Sequence, residues 1–349
     1  GNTINNFRSI PYKNQYRKNK IFVNLCVLSH VKLGVIMCKV HVKGENKMNT
    51  IQEIKELKKE KDAVVLAHYY VRPEVQEIAD YVGDSFYLSR VAEELTNQTI
   101  VFAGVSFMGE SAKILNQEKI VLMPEPSADC AMAHMAGPET IRKMRSTYED
   151  LAVVCYINST AELKQHSDVC VTSANAVKIV KELPNKYIFF IPDKNLAHFV
   201  AGQVPEKQFV FNDGYCPVHE KMKVEEVKNA KEQHPEAEIL VHPECPPAIC
   251  EMADYVGSTS GIIRHAAESD SKEFIICTES GVRYELEKQN PDKHFYFPET
   301  EPVCTDMKTI TLEKIKEVLQ TGKNAVQVDS AFAEQAKKPL RRMLDLAAR

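Results

Sequence analysis

Apolar residues in this chain fall in short unbroken runs that end in polar triplets. Three runs share one shape: "VVLAHYY" (64–70), "AVVCYIN" (152–158) and "EILVHPE" (238–244). Unbroken runs of this length read as strands buried on both faces, whereas a half-exposed strand would alternate. Helical spacing follows each of them, in "YVGDSFYLSRVAEEL", "VCVTSANAVKIVKEL" and "YVGSTSGIIRHAAES". In the middle of the chain the pattern predicts strands near 151–156, 168–172, 187–191 and 208–211, with helices between them. Buried strands alternating with helices indicate a small parallel sheet covered on both faces.

The three runs are copies of one unit. Aligned, they bring His68, Tyr156 and His242 into register, 88 and 86 residues apart. A hydroxyl lies 17 residues beyond each of these: Ser85, Ser173 and Thr259. A cysteine follows 45, 43 and 45 residues later: Cys130, Cys216 and Cys304. A fixed period of this kind marks an internal repeat. The expected fold class is α/β, with three pseudo-threefold-related α/β/α units, each holding a small parallel sheet, around a central active-site cavity. Expected boundaries are 48–148 with a leading helix, 149–235, 236–325, and a C-terminal helix in 326–349. Parallel sheets bind ligands beyond the carboxyl ends of their strands, so equivalent strand ends would face one cavity.

Charge sets the first 47 residues apart. They hold nine Lys/Arg and one acid, a net of +8 within a chain total of −4, which leaves −12 for the remainder. This segment reads as a basic extension, or as an upstream stretch translated in error; the second is expected, since the chain opens at Gly1 and a Met stands at 48. The acidic remainder gives no reason to expect a nucleic-acid partner. The apolar stretch 21–38 is broken by Asn24, Ser29, His30 and Lys32, so no membrane span is expected. Ten cysteines spread through a large α/β chain suit a reducing cytoplasm.

The repeat separates the chemistry from the packing. Cys130, Cys216 and Cys304 share a repeat position and stand in loops, whereas Cys155, Cys170 and Cys277 lie in apolar strands and read as core. Cys245 and Cys250 of "VHPECPPAIC" have no counterparts in the other units; the expectation is that they pack, with Cys250 buried by a helix starting at "PPAIC". Three thiolates on one cavity suit Zn²⁺ with a fourth ligand, or a [4Fe–4S] cluster with one open iron. A hydroxyl at a helix start is ordinarily an N-cap, but three around one cavity also suit an anion site. At the strand ends, His68, Tyr70, Tyr156, Asn158, His242 and Glu244 suit general acid–base work, with Glu244 the candidate base and His242 or Tyr70 the proton relays. His219, three residues after Cys216, should face the same centre. These residues leave open a cluster-dependent hydro-lyase and a non-catalytic metal sensor.

With these positions assembled, the chain resembles the quinolinate synthases, iron–sulfur enzymes of de novo NAD (pyridine nucleotide) biosynthesis. The resemblance rests on "AHYYVRPEVQEIADYVGDS", "FMGESAKIL", "VLMPEPSADCAMA", "CYINSTAELK", "CVTSANA", "PDKNLA", "VHPECPPAICEMADYVGSTSGII" and "CTDMK", and runs from about Met48 to the C-terminus. It implies the same threefold α/β architecture and one [4Fe–4S] cluster held by Cys130, Cys216 and Cys304 with one iron open. It implies a transferase-type dehydrating condensation of iminosuccinate with dihydroxyacetone phosphate, releasing phosphate and two waters. Substrate contacts are implied at His68, Tyr70, Ser85, Tyr156, Asn158, Ser173, His219, His242, Glu244 and Thr259. A functional link to a producer of unstable iminosuccinate, L-aspartate oxidase or aspartate dehydrogenase, follows from the pathway. Some members carry further cysteines just before the third ligand; "ETEPVC" has none, so no disulfide switch is expected there.

Overall fold

A computed structural model of the chain describes residues 47–349. The expectations for the basic extension and the apolar stretch 21–38 lie outside the described residues. The chain divides into two units, 1–53 and 54–349, and the second carries every sheet. Among the described residues no helix is long and apolar enough to cross a membrane.

A helix through 47–60 (α1) precedes the first sheet. That sheet comprises β1 (Ala63–His68), β2 (Tyr81–Gly83), β3 (Thr99–Ala103) and β4 (Ile120–Leu122), interleaved with α2 (Pro73–Ile78), α3 (Ser85–Glu94) and α4 (Ser106–Leu115). After α5 (Pro138–Thr147) come β5 (Leu151–Tyr156), α6 (Ala161–Gln165), β6 (Val169–Val171), α7 (Ala176–Glu182), β7 (Tyr187–Ile191), α8 (Lys194–Gln203) and β8 (Gln208–Phe211). Then follow α9 (Val224–Gln233), β9 (Glu238–Val241), α10 (Pro247–Cys250), β10 (Tyr255–Val256), α11 (Thr259–Glu268), β11 (Glu273–Cys277), α12 (Arg283–Gln289) and β12 (His294–Tyr296). The chain closes with α13 (Thr305–Lys308), α14 (Leu312–Thr321) and α15 (Ser330–Ala348), the last packed against α4, α6, α7 and β6.

The three sheets share one strand order, β2-β1-β3-β4, β6-β5-β7-β8 and β10-β9-β11-β12, and every pairing is parallel. Every residue of β1 and of β5 is buried, as unbroken apolar runs require. In this order the connections leaving the first and third strands of each unit run to opposite sides, which opens a crevice between their carboxyl ends.

Two polar devices recur with the period of the repeat. Asp80, Asp168 and Asp254 each accept a hydrogen bond from a first-strand N–H, those of Val65, Val153 and Ile239, at 2.8, 2.7 and 2.8 Å. Lys119, Lys207 and Lys293 each donate to carbonyls at the ends of α3, α7 and α11. A helix end leaves carbonyls unsatisfied and carries partial negative charge, so an ammonium there meets both needs.

Cys155, Cys170 and Cys277 are fully buried on their strands. Cys245 is buried among Met222, Ile239 and Ile249, whereas Cys250 is only half-buried, because α10 is a single turn that leaves its last residue partly open.

Candidate active site

A cavity of about 450 Å³ opens at the carboxyl ends of the three first strands. It is lined by all thirteen residues singled out above. His68, Tyr70, Ser85 and Cys130 come from the first repeat, and Tyr156, Asn158, Ser173, Cys216 and His219 from the second. His242, Glu244, Thr259 and Cys304 come from the third. Cys245 and Cys250 do not line it.

The strand ends fix two histidines in one tautomer. The N–H of Tyr70 donates to His68 Nδ1 at 3.2 Å, and the N–H of Glu244 donates to His242 Nδ1 at 3.3 Å. Each Nδ1 is thus an acceptor, and the ring proton sits on Nε2; that of His242 meets Ser173 Oγ at 3.2 Å. Burial is the main force holding both rings neutral. It outweighs the attraction of Glu244 and takes His68 down to about 3 and His242 to about 4.

Glu244 is the hub. Its carboxylate accepts from Tyr156 Oη at 2.6 Å and lies 2.8 Å from His219 Nδ1. Asn195 Nδ2 holds its backbone carbonyl at 3.0 Å. Burial alone would raise its pKa. The His242 and His219 rings and the hydrogen bonds from His219 and Tyr156 outweigh burial, so the carboxyl stays ionised. On its other nitrogen His219 meets Thr278 Oγ1 at 2.9 Å, and Thr278 meets Tyr70 Oη at 2.9 Å. Tyr70 also reaches Thr259 Oγ1 at 2.9 Å. Burial, reinforced by Glu244, pushes both Tyr70 and Tyr156 well above the usual phenol range, which keeps them as proton donors. One hydrogen-bonded chain therefore joins Tyr156, Glu244, His219, Thr278 and Tyr70.

The three hydroxyls are not the caps of their helices. Asp84 caps α3 by accepting from the Tyr87 N–H at 3.0 Å, and Ser258 caps α11 through the Gly261 N–H at 3.1 Å. In the second repeat Thr172 occupies that position and accepts from the Ala174 N–H at 3.3 Å. Ser85, Ser173 and Thr259 stand one residue further on, where the side chain is released from capping. Asn158, the repeat equivalent of Tyr70 and Glu244, has a buried Oδ1 without a partner. A lone buried acceptor on a cavity wall marks a place where a ligand donates.

Cys130, Cys216 and Cys304 line the cavity from three separate loops. Burial is the main force raising all three thiols, Cys130 to about 12. The charge of Glu244 raises Cys130 and Cys216 further. Thiols raised this way become thiolates once a cation arrives, and three soft donors on one cavity suit a soft metal centre. Two buried acids brace their loops: Asp193 accepts from the Cys216 N–H at 3.2 Å, and Glu279 from the Cys304 N–H at 3.0 Å. Sequence reasoning missed both. They are repeat equivalents, 86 residues apart, so the alignment that found the cysteines also carries them. Thr278 was missed as well, and its position offers no periodic signal.

The family model described as quinolinate synthetase A protein matches residues 52–345. The chain belongs to this family. It is 52% identical over 295 residues to a quinolinate synthase of Clostridioides difficile (strain 630), covering 84% of this chain and 97% of that protein. It is 53% identical over 294 residues to a quinolinate synthase of Fusobacterium nucleatum, covering 84% and 98%. To that of Aquifex aeolicus it is 47% identical over 315 residues, covering 87% and 98%. Quinolinate synthase is therefore the enzyme to which nearly the whole described chain is similar, the cavity walls included.

Proposed function

We propose that this chain makes quinolinate from iminosuccinate and dihydroxyacetone phosphate, releasing phosphate and two waters. The observation that carries the reading is the convergence of thirteen residues from three repeats on one cavity, in a member of the quinolinate synthetase A family.

The donor set fits one [4Fe–4S] cluster held by Cys130, Cys216 and Cys304, three ligands for four irons. Bound there, the cluster supplies a Lewis acid at its open iron, suited to helping hydroxide leave. The chain's own residues do the rest. Ser85, Ser173 and Thr259, with the N–H groups of nearby helix starts, receive phosphate and carboxylate oxygens. The Asn158 amide N–H groups and Tyr156 orient the dicarboxylate end, and Asn158 Oδ1 accepts from the substrate's imine N–H. Ionised Glu244 takes a proton as the carbon–carbon bond forms. His242 Nε2–H and Tyr70 Oη give protons back during isomerisation and ring closure, and His219 links Glu244 to Tyr70 through Thr278. His68 presents a second neutral Nε2–H to the bound substrate. Iminosuccinate is unstable, so an aspartate-oxidising enzyme must act nearby.

The test is an anaerobic assay of the full chain with both substrates. Quinolinate should form, and omission of dihydroxyacetone phosphate should abolish it. Turnover of other hydroxy acids with no quinolinate would favour the hydro-lyase reading.

A further inference from the structure

One donor set in the cavity is not the three cysteines. The ligand atoms of Cys216, His219 and Glu244 all lie within 4.8 Å of one another. Cys216 Sγ is 3.2 Å from His219 Nδ1, which is 2.8 Å from Glu244 Oε2. We propose that these three residues form a site for a single divalent transition-metal ion of the zinc type.

Three features support it. The first is donor chemistry: thiolate, imidazole and carboxylate are the borderline-soft set that zinc takes, and magnesium and calcium do not. The second is charge, because one thiolate and one carboxylate neutralise a dication where a net charge would be costly to bury. The third is outer support. His219 turns its other nitrogen to Thr278 Oγ1 at 2.9 Å, and Glu244 Oε1 is fixed by Tyr156 at 2.6 Å. Metal ligands are oriented by such partners. Zinc bond lengths put tetrahedral donor pairs about 3.4–3.6 Å apart, so the Cys216–His219 and His219–Glu244 contacts need open by about 0.3–0.6 Å and the Cys216–Glu244 pair, within 4.8 Å, need close by at most about 1.2 Å. All three residues line the cavity, from which a further ligand would come. On binding, the Cys216 thiol gives its proton to solvent, the His219 ring proton moves from Nδ1 to Nε2, where Thr278 Oγ1 accepts it, and the ion keeps its oxidation state.

Cys216 belongs to both donor sets, so the single ion and the cluster exclude each other. That exclusion rests on the proposed function; the site itself does not. The chain then has a second metallated form, filled when divalent metal arrives before the cluster.

The experiment uses the full chain, freed of cluster by anaerobic chelation, desalted and titrated with Co²⁺ alone. One ion per chain should bind, with a thiolate-to-cobalt absorption and the strong visible bands of four-coordination. Glu244→Gln should weaken Co²⁺ by about 100-fold or more yet still take up iron and sulfide on reconstitution. Cys304→Ala should do the reverse, keeping Co²⁺ and losing iron. Circular dichroism checks that each variant is folded. Loss of Co²⁺ in Cys304→Ala would assign the ion to the cysteines and overturn the site. So would wild-type affinity in Glu244→Gln and His219→Gln. Failure of the wild type to take up iron, with the cobalt results standing, would sink the cluster reading and leave this site intact.

Discussion

His68 and His242 titrate in the folded chain at about 3 and about 4. In the unfolded chain each titrates near 6.5. Below pH 6.5 the unfolded state therefore binds protons that the folded state refuses, so this stability is full above 6.5 and drains away as pH falls. Between pH 7.5 and 5.5 the folded rings stay neutral, and each unfolded histidine goes from about one-tenth to nine-tenths protonated. One such group lowers the unfolding free energy by about 1.4 kcal/mol over that interval, and the pair by about 2.7 kcal/mol. The two residues are 6% and 3% exposed, too enclosed for solvent to screen the effect. Urea unfolding of the cluster-free chain at the two pH values measures it. His68→Gln and His242→Gln should each recover about 1.4 kcal/mol of the pH-dependent loss, whatever their effect at pH 7.5. If both variants keep the whole wild-type loss, the folded rings titrate as the unfolded ones do, and burial does not hold them neutral as the pH falls below 6.5. By the same logic kcat/KM should show no acid limb near pH 6.5 from either ring.

Glu244→Gln keeps the shape and removes the charge that Tyr156 and His219 converge on; kcat should fall about 10²–10³-fold, read in the quinolinate assay. Ser258→Ala removes the cap of α11 and should cost about 1 kcal/mol in a thermal melt. Thr259→Val, one residue on, should stay within about 1 kcal/mol of wild type and instead raise KM for a substrate.

Much of the fold was legible because each buried first strand is an unbroken apolar run, and three such runs at spacings of 88 and 86 fix the register of everything between them. The strands expected at 151–156 and 187–191 are Leu151–Tyr156 and Tyr187–Ile191. What failed was local. "DS" at 84–85 and "ST" at 258–259 each offer two residues able to cap a helix. Only backbone geometry decides between them, and it chose Asp84 and Ser258. The braces at Asp193 and Glu279 were readable by period but hidden in type, since the equivalent residue of the first repeat is Val105. Thr278 could not be read at all: its partners His219 and Tyr70 come from other repeats, so its role exists only once three sheets meet.

The central claim is that each repeat sends one cysteine to a shared catalytic centre. Iron, sulfide and quinolinate formation should be measured side by side in anaerobically prepared wild type, Cys130→Ala, Cys216→Ala, Cys304→Ala, Cys245→Ala and Cys250→Ala. The account predicts about four irons per chain, as in a cubane cluster, and active enzyme for the wild type and the last two variants, with both lost in the first three. Full iron and full activity in any of the first three would contradict it.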